Sequence, residues 1–327
     1  MSESLYPLLF DPIYKDYIWG GTALGRTFPR TVPGGRCAES WEVCGRPEGV
    51  STVTNGPLAG QRLDALITDF GADLLGSDVP KGRFPLLIKI IDAGDRLSVQ
   101  VHPDDASAQR VGAEPKTEMW YALGVESGCG VYAGLKSGTT EPMFRDALDR
   151  GRTEPLLSWC PLATGDAIFV PGGCVHAIGA GCLLLEVQQN SNTTYRVSDW
   201  SRVDAQGKPR ELHVEQAMRV IRWDLPPAQA IRMIRARGGQ PRLIAECPYF
   251  AMARYDLDRA TSIKRSPRAF DILFATDGEV EVEAGRTVAL AAGSSCLIPA
   301  CVDHVALRPR GANATVLRIA PGPGYIS

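Results

Sequence analysis

The chain has 327 residues, 44% of them hydrophobic and 22% charged, with 35 basic against 37 acidic side chains. That length supports two cores, and a net charge of -2 excludes a basic surface for nucleic acid or a polybasic membrane anchor. No apolar stretch reaches transmembrane length, since even the run 85–91 is cut by Lys89.

The N-terminus lacks a basic region followed by an apolar run, so no secretory signal is expected. The nine cysteines are odd in number, scattered and without a CxxC pair. That is the pattern of reduced thiols in a cytoplasmic protein. From the N-terminus onward, short apolar runs broken by Gly, Pro, Asn and Asp predict a mostly antiparallel β protein. Leu63–Leu75 is the first helical segment. Leu86–Ile91 predicts a strand, Asp92–Asp95 a hairpin turn, and Leu97–His102 the return strand, in which Leu97, Val99 and Val101 alternate with Ser98, Gln100 and His102. In this register Lys89 lies opposite Ser98 and shares a face with Gln100 and His102. A lysine inside a barrel needs an anion or a carboxylate, and the candidates are a substrate phosphate, a sugar oxygen, Asp92 or Asp95. Lys116 shares parity with Glu118 in the next strand, which places it either on the same face as a second cation or, at the start of that strand, in solvent.

Thr140–Arg150 predicts a helix with Thr139 or Thr140 as its cap and Phe144, Ala147 and Leu148 as its apolar stripe. The run from Gly165 to His176 predicts turn, short strand, Pro turn and histidine. A return strand Cys182–Gln189 and then Arg196 follow. Leu212–Ile221 is a third helix, and Pro226-Pro227 marks a boundary between domains 1–225 and 226–327. Beyond it, Phe270–Phe274, Glu279–Glu283, Thr287–Leu290, Cys296–Ile298 and Ala314–Ile319 have the spacing of a sandwich or barrel. Gly165, Pro171 and His176 are separated by six and five positions, and Gly293, Pro299 and His304 repeat both intervals. One β-barrel unit therefore occurs twice, and only the first copy has companions for its histidine. Gln100, His102, Glu118 and His176 offer two imidazoles, a carboxylate and an amide. This set suits one divalent metal such as Zn2+ with a position left for water or substrate.

The segments 97–105, 116–120, 170–179 and 186–200, with Tyr17–Gly21 and Glu39–Val43, resemble the type I mannose-6-phosphate isomerases in their short bacterial form, within the cupin superfamily. The resemblance implies two cupin-type jelly-roll barrels with a small helical segment, the first carrying insertions near 61–76 and 139–158 and the second degenerate. It implies one zinc on Gln100, His102, Glu118 and His176, an essential arginine at Arg196, and interconversion of mannose 6-phosphate and fructose 6-phosphate through a cis-enediol. His102, or hydroxide at the metal, is the candidate for proton transfer, with Lys89 assisting. Lys89, Lys116 and Arg196 are the candidates for holding the sugar phosphate, whether the chain is a monomer or a homodimer. The family commonly has aspartate four residues before the arginine, where this chain has Asn192, and an amide cannot serve as a carboxylate base. Two competing readings are a metal-dependent dioxygenase on the same ligand set and a non-catalytic sugar-binding or regulatory cupin.

Overall fold

A computed structural model describes residues 5–203, 206–236 and 238–325. Its strands pair antiparallel throughout and form four sheets. The largest runs in the order Ala167–Val170, Glu118–Val125, Cys182–Gln189, Leu86–Ala93, Glu39–Arg46 and Ile13–Lys15, with Gly49–Val50 paired to Glu39–Arg46. It faces a sheet ordered Tyr195–Ser198, Val99–Val101, His176–Ile178, Gly130–Leu135 and Leu157–Pro161, and the apolar side chains between the two form one core. The second barrel pairs a six-stranded sheet with the four strands Thr261–Ile263, Val305–Pro309, Val280–Ala284 and Arg286–Leu290. The N-terminal strand Leu8–Leu9 belongs to that six-stranded sheet, where it pairs with Ser295–Ile298.

The strand Leu86–Ala93 shows why the first half reads as a continuous apolar run. Leu86, Ile88 and Ile90 point outward into the core shared by the two large sheets, beside Ile272, Phe274 and Leu317 of the second barrel. Ile91 points the other way, into the first barrel. Both faces are covered, so alternation between apolar and polar residues is lost. Burying each of these side chains stabilises the fold by about 1.5–3 kcal/mol, and the seam between the barrels is part of the core.

Three sequence expectations change. Asp92–Asp95 is not a hairpin turn, because Leu86–Ala93 pairs with Glu39–Arg46 and Cys182–Gln189 while Val99–Val101 lies in the opposite sheet. The chain crosses from one wall of the barrel to the other there. The helix expected over Leu63–Leu75 is two helices, Leu63–Phe70 and Ala72–Leu75, separated by Gly71 at φ +47°, a conformation open to glycine. The third helix is confined to Val214–Met218. The second helix matches its expected bounds at Glu141–Asp149, with Thr140 at the N-cap but no side-chain capping bond.

In the second barrel, His304 is exposed just before Val305–Pro309. Buried Asp271 accepts from Arg265 Nε at 2.5 Å and Arg318 Nε at 2.8 Å, and Arg265 also donates to the carbonyls of Pro299 and Ile298. Breaking a buried pair leaves an uncompensated charge. Arg265→Met is therefore expected to destabilise the protein by about 3 kcal/mol, read as a lower urea midpoint with an unchanged slope. A loss below about 1 kcal/mol, the scale of an exposed pair, would contradict this assignment.

Candidate active site

The first barrel brings its ligand candidates together from both walls. Gln100 and His176 face each other across adjacent strands, and His102 follows the end of Val99–Val101. There Asp104 caps the helix Asp105–Val111 by accepting from Ser107 N at 2.8 Å. The Pro171-Gly172-Gly173 turn locks these two pieces. A Cβ on Gly172 would stand 2.6 Å from the Asp104 backbone, so only glycine permits the approach, and Gly173 N donates to the His102 carbonyl at 2.7 Å. Glu118 enters from the opposite sheet at the start of Glu118–Val125.

His102, Glu118 and His176 are buried, and their candidate ligand atoms lie within 4.8 Å of one another. His176 Nε2 is 3.3 Å from Glu118 Oε1, His102 Nε2 is 3.5 Å from Glu118 Oε2, and the Gln100 amide is 3.2 Å from His176 Nε2. A tetrahedral ion with bonds of about 2.0–2.2 Å requires ligand edges of roughly 3.3–3.6 Å, which the two histidine–Glu118 separations match, and the Gln100 amide abuts the same group. His102 Nδ1 meets the Thr193 carbonyl at 2.7 Å and His176 Nδ1 the Cys174 carbonyl at 2.9 Å. Each Nδ1–H therefore donates to the backbone, and each Nε2 lone pair is turned inward. Burial keeps both rings neutral, pushing His176 down to about 4 and His102 well below the usual imidazole range. Both Glu118 oxygens are buried without a well-formed hydrogen bond, although Lys116 Nζ lies 2.7 Å from Oε2. A buried carboxylate with unused lone pairs is what a metal would satisfy.

Lys89 and Lys116 both point into this barrel and both are buried. Lys89 Nζ is 3.0 Å from Glu39 Oε1 and 3.0 Å from Glu186 Oε1, and Lys116 Nζ is 3.5 Å from Glu186 Oε1. Thus Glu39, Lys89, Glu186, Lys116 and Glu118 form a row of alternating charge that ends on the ligand group. The partners of Lys89 are these carboxylates, not Asp92 or Asp95. Glu39 and Glu186 are in turn held by the indoles of Trp41 and Trp120, each at 2.7 Å. Burial opposes the charge on Lys89, but Glu186 and Glu39 outweigh it and hold the ammonium well above its ordinary range. Burial and the Glu186 charge push Glu118 up, whereas Lys116 and Lys89 draw Glu186 down against its own burial.

A cavity of about 390 Å³ opens beside the row, lined by Gln100, Lys89, Lys116, Glu186, Arg196 and Arg210 among others. Tyr17, Trp19 and Asn192 also line it. Arg196 is half-buried, donates through Nε to Ser98 Oγ at 3.3 Å and through NH1 to the Glu211 carbonyl at 2.8 Å. Burial and the neighbouring Arg210 lower its hold on its proton. Asn192 is exposed, with Nδ2 3.4 Å from Glu48 Oε1. A larger cleft of about 760 Å³ lies around Gly21, Asp92 and Gly181 and touches none of the four ligand candidates. Glu39, Glu186 and Arg210 were not singled out from the sequence. The signal for the two acids is their period-two placement with Trp41 and Gln188 in apolar strands. None points to Arg210, which arrives from a loop.

Residues 8–124 match the family model for the catalytic domain of type I phosphomannose isomerase, and residues 242–317 match that for the mannose-6-phosphate isomerase cupin domain. The chain is 37% identical over 285 residues to mannose-6-phosphate isomerase ManA of Bacillus subtilis, covering 86% of this chain and 89% of that protein. It is 34% identical over 295 residues to the mannose-6-phosphate isomerase of Streptococcus mutans, covering 90% and 92%. The crystal structure of the Bacillus subtilis mannose 6-phosphate isomerase superposes with a TM-score of 0.85 at 29% identity, covering 96% of this chain and 99% of that one. With two barrels in the same order and a buried His–Glu–His group in the first, the chain belongs to the type I phosphomannose isomerase family.

Proposed function

We propose that the protein interconverts mannose 6-phosphate and fructose 6-phosphate, with a zinc ion held by Gln100, His102, Glu118 and His176. The observation that carries this reading is the ligand group with neutral, inward Nε2 atoms beside a cavity rich in cations. Neither the dioxygenase nor the non-catalytic reading explains two buried lysines aimed at the same space. The bound metal would polarise the sugar oxygens at the reacting carbons and so favour loss of the C2 proton. The chain's own groups supply the remainder. Lys89 and Lys116 line the cavity and would donate to the enediol oxygens as negative charge develops there, and preorganised donors in a buried site stabilise such charge strongly. Lys89, kept protonated by Glu39 and Glu186, acts as a donor and not as a base. His102 has both ring nitrogens engaged, one on Thr193 and one on the ligand group, so proton transfer and metal binding compete for it. Among the described residues no helix is long and apolar enough to cross a membrane. All nine cysteines are unpaired, which supports a cytoplasmic location.

A coupled assay of fructose 6-phosphate formation tests the proposal. The purified protein is expected to convert mannose 6-phosphate, to lose that activity on dialysis against a chelator, and to recover it with zinc. Full turnover in metal-free protein would refute the metal assignment. Arg196→Ala is expected to keep metal and fold and to lose about 100- to 1,000-fold in kcat/KM, measured in the same assay beside a metal determination. Asn192→Asp is expected to change turnover by no more than a few fold, because the amide is exposed at the cavity mouth and bonds only weakly to Glu48. A tenfold gain would show that the position lacks a carboxylate it could use.

A further inference from the structure

Trp200 and Ser201, consecutive and neither of them glycine, both adopt φ of +59°. No other non-glycine residue among those described has a positive φ. L-residues avoid this backbone state, bulky ones most of all, and it persists only where the surroundings over-determine it. Trp200 is fixed on three sides. Its Nε1 donates to the Leu97 carbonyl at 2.6 Å, the Arg96 guanidinium stacks 4.0 Å from its ring, and Tyr132 lies 5.9 Å away.

The turn sets the position of the preceding residue, Asp199, which is buried. Asp199 accepts from Arg202 NH2 at 2.6 Å and from Arg210 through both Nε, at 2.7 Å, and NH2. Arg202 also donates to Asp95 Oδ2 at 3.0 Å and to the Arg96 carbonyl at 2.6 Å, so Asp199 is braced from behind. Arg210 is then presented to the cavity that Arg196 also lines. The bonds that orient Arg210 leave its NH1 out of the pairing, and those that orient Arg196 leave its NH2 out. Two guanidinium groups, those of Arg202 and Arg210, thus share the buried Asp199 carboxylate at this mouth, with exposed Asp95 as the outer partner of Arg202. Fixed planar forks in pairs match the geometry of a tetrahedral dianion.

We infer that Asp199 is a positioning residue that holds Arg210 beside Arg196 as a paired clamp for the phosphate of the substrate, with the Trp200–Ser201 turn fixing Asp199 in place. This rests on the sugar-phosphate reading above. The clamp leaves the aldose end of the sugar for the metal ligands and the two lysines, so Arg210 acts on binding more than on the chemical step. Ground-state and transition-state binding are then strengthened alike, which appears in KM and not in kcat.

The test uses the metal-loaded full chain, with steady-state isomerisation of mannose 6-phosphate and calorimetric titration with inorganic phosphate. Arg210→Ala is expected to raise KM by about tenfold or more, as a charge-assisted contact predicts, with kcat within about threefold. The Kd for inorganic phosphate should rise by a similar factor, and Arg210→Lys should recover part of both losses. Asp199→Asn should move the same two constants in the same direction. Combined with Arg210→Ala it should add almost nothing, because both changes disable one arm. Arg210→Ala with KM and phosphate affinity within about twofold of wild type overturns the clamp, as does a fall in kcat with KM unchanged. Additive losses in the double variant overturn the positioning role of Asp199. A wild-type protein that binds phosphate through Arg210 but does not isomerise the sugar would refute the proposed function and leave the anion clamp standing.

Discussion

His176→Ala is expected to abolish both metal binding and isomerisation, while His304→Ala changes neither. His176 supplies a buried Nε2 3.3 Å from Glu118 Oε1, with its tautomer fixed by the Cys174 carbonyl. It is also the ring against which the Gln100 amide rests at 3.2 Å. Alanine removes one ligand and the neighbour of another, so the remaining His102 and Glu118 cannot enclose an ion. Losing several kcal/mol of charge stabilisation corresponds to at least about 1,000-fold in rate. His304 occupies the equivalent place after the repeated Gly–Pro spacing, yet it is exposed and outside its barrel, whose interior is apolar. Elemental analysis should give about one equivalent of metal per chain in wild type and in His304→Ala, and almost none in His176→Ala. Two equivalents in wild type, or retention by His176→Ala, would remove the first barrel from its assigned role.

How far the sequence led depends on what each signal physically encodes. The Gln100-x-His102 pair was legible because side chains two apart on a strand share a face, and this holds whichever strand lies alongside. The Pro171-Gly-Gly turn before His176 was legible because its glycines answer a local demand, here the contact of Gly172 with Asp104. Lys89 was correctly expected to point inward, but for the wrong reason. Its orientation comes from parity within Leu86–Ala93, whose neighbours are Glu39–Arg46 and Cys182–Gln189 and not the strand that carries Gln100. Nothing local distinguishes a tight hairpin at Asp92–Asp95 from a crossing between two walls. The partners of Lys89 were hidden for the same reason, since Glu39 and Glu186 stand 50 and 97 positions away in sequence. Arg210 was out of reach because its role depends on Asp199 and on a left-handed turn at a tryptophan, which no propensity predicts.

The second large effect is expected at Lys89, where stability and catalysis fall together. The ammonium is shared by two buried carboxylates, Glu39 and Glu186, each at 3.0 Å. Lys89→Ala leaves Glu186 with Lys116 at 3.5 Å and the Trp120 indole at 2.7 Å, and Glu39 with the Trp41 indole at 2.7 Å. Breaking a buried pair in this way costs about 3–5 kcal/mol, and losing a donor at the developing oxyanion costs about 100- to 1,000-fold in turnover. The pH dependence separates this account from simple loss of packing. In wild type the Lys89 proton is held more tightly in the folded state, so its contribution is fully present below the unfolded value of about 10.4 and is lost only as pH rises through the higher folded value. The lysines also depress Glu186, so its contribution is present above about pH 4.3 and is lost as pH falls through its lower folded value. In the variant, burial without the cation raises Glu186, and protonation then relieves the strain as pH falls through that raised value. The stability gap between wild type and Lys89→Ala should therefore be widest near neutral pH and narrow towards about pH 4–5, read from urea midpoints across the range. A gap that stays constant with pH would mean that the variant suffers from a cavity and that the charge row contributes nothing of its own.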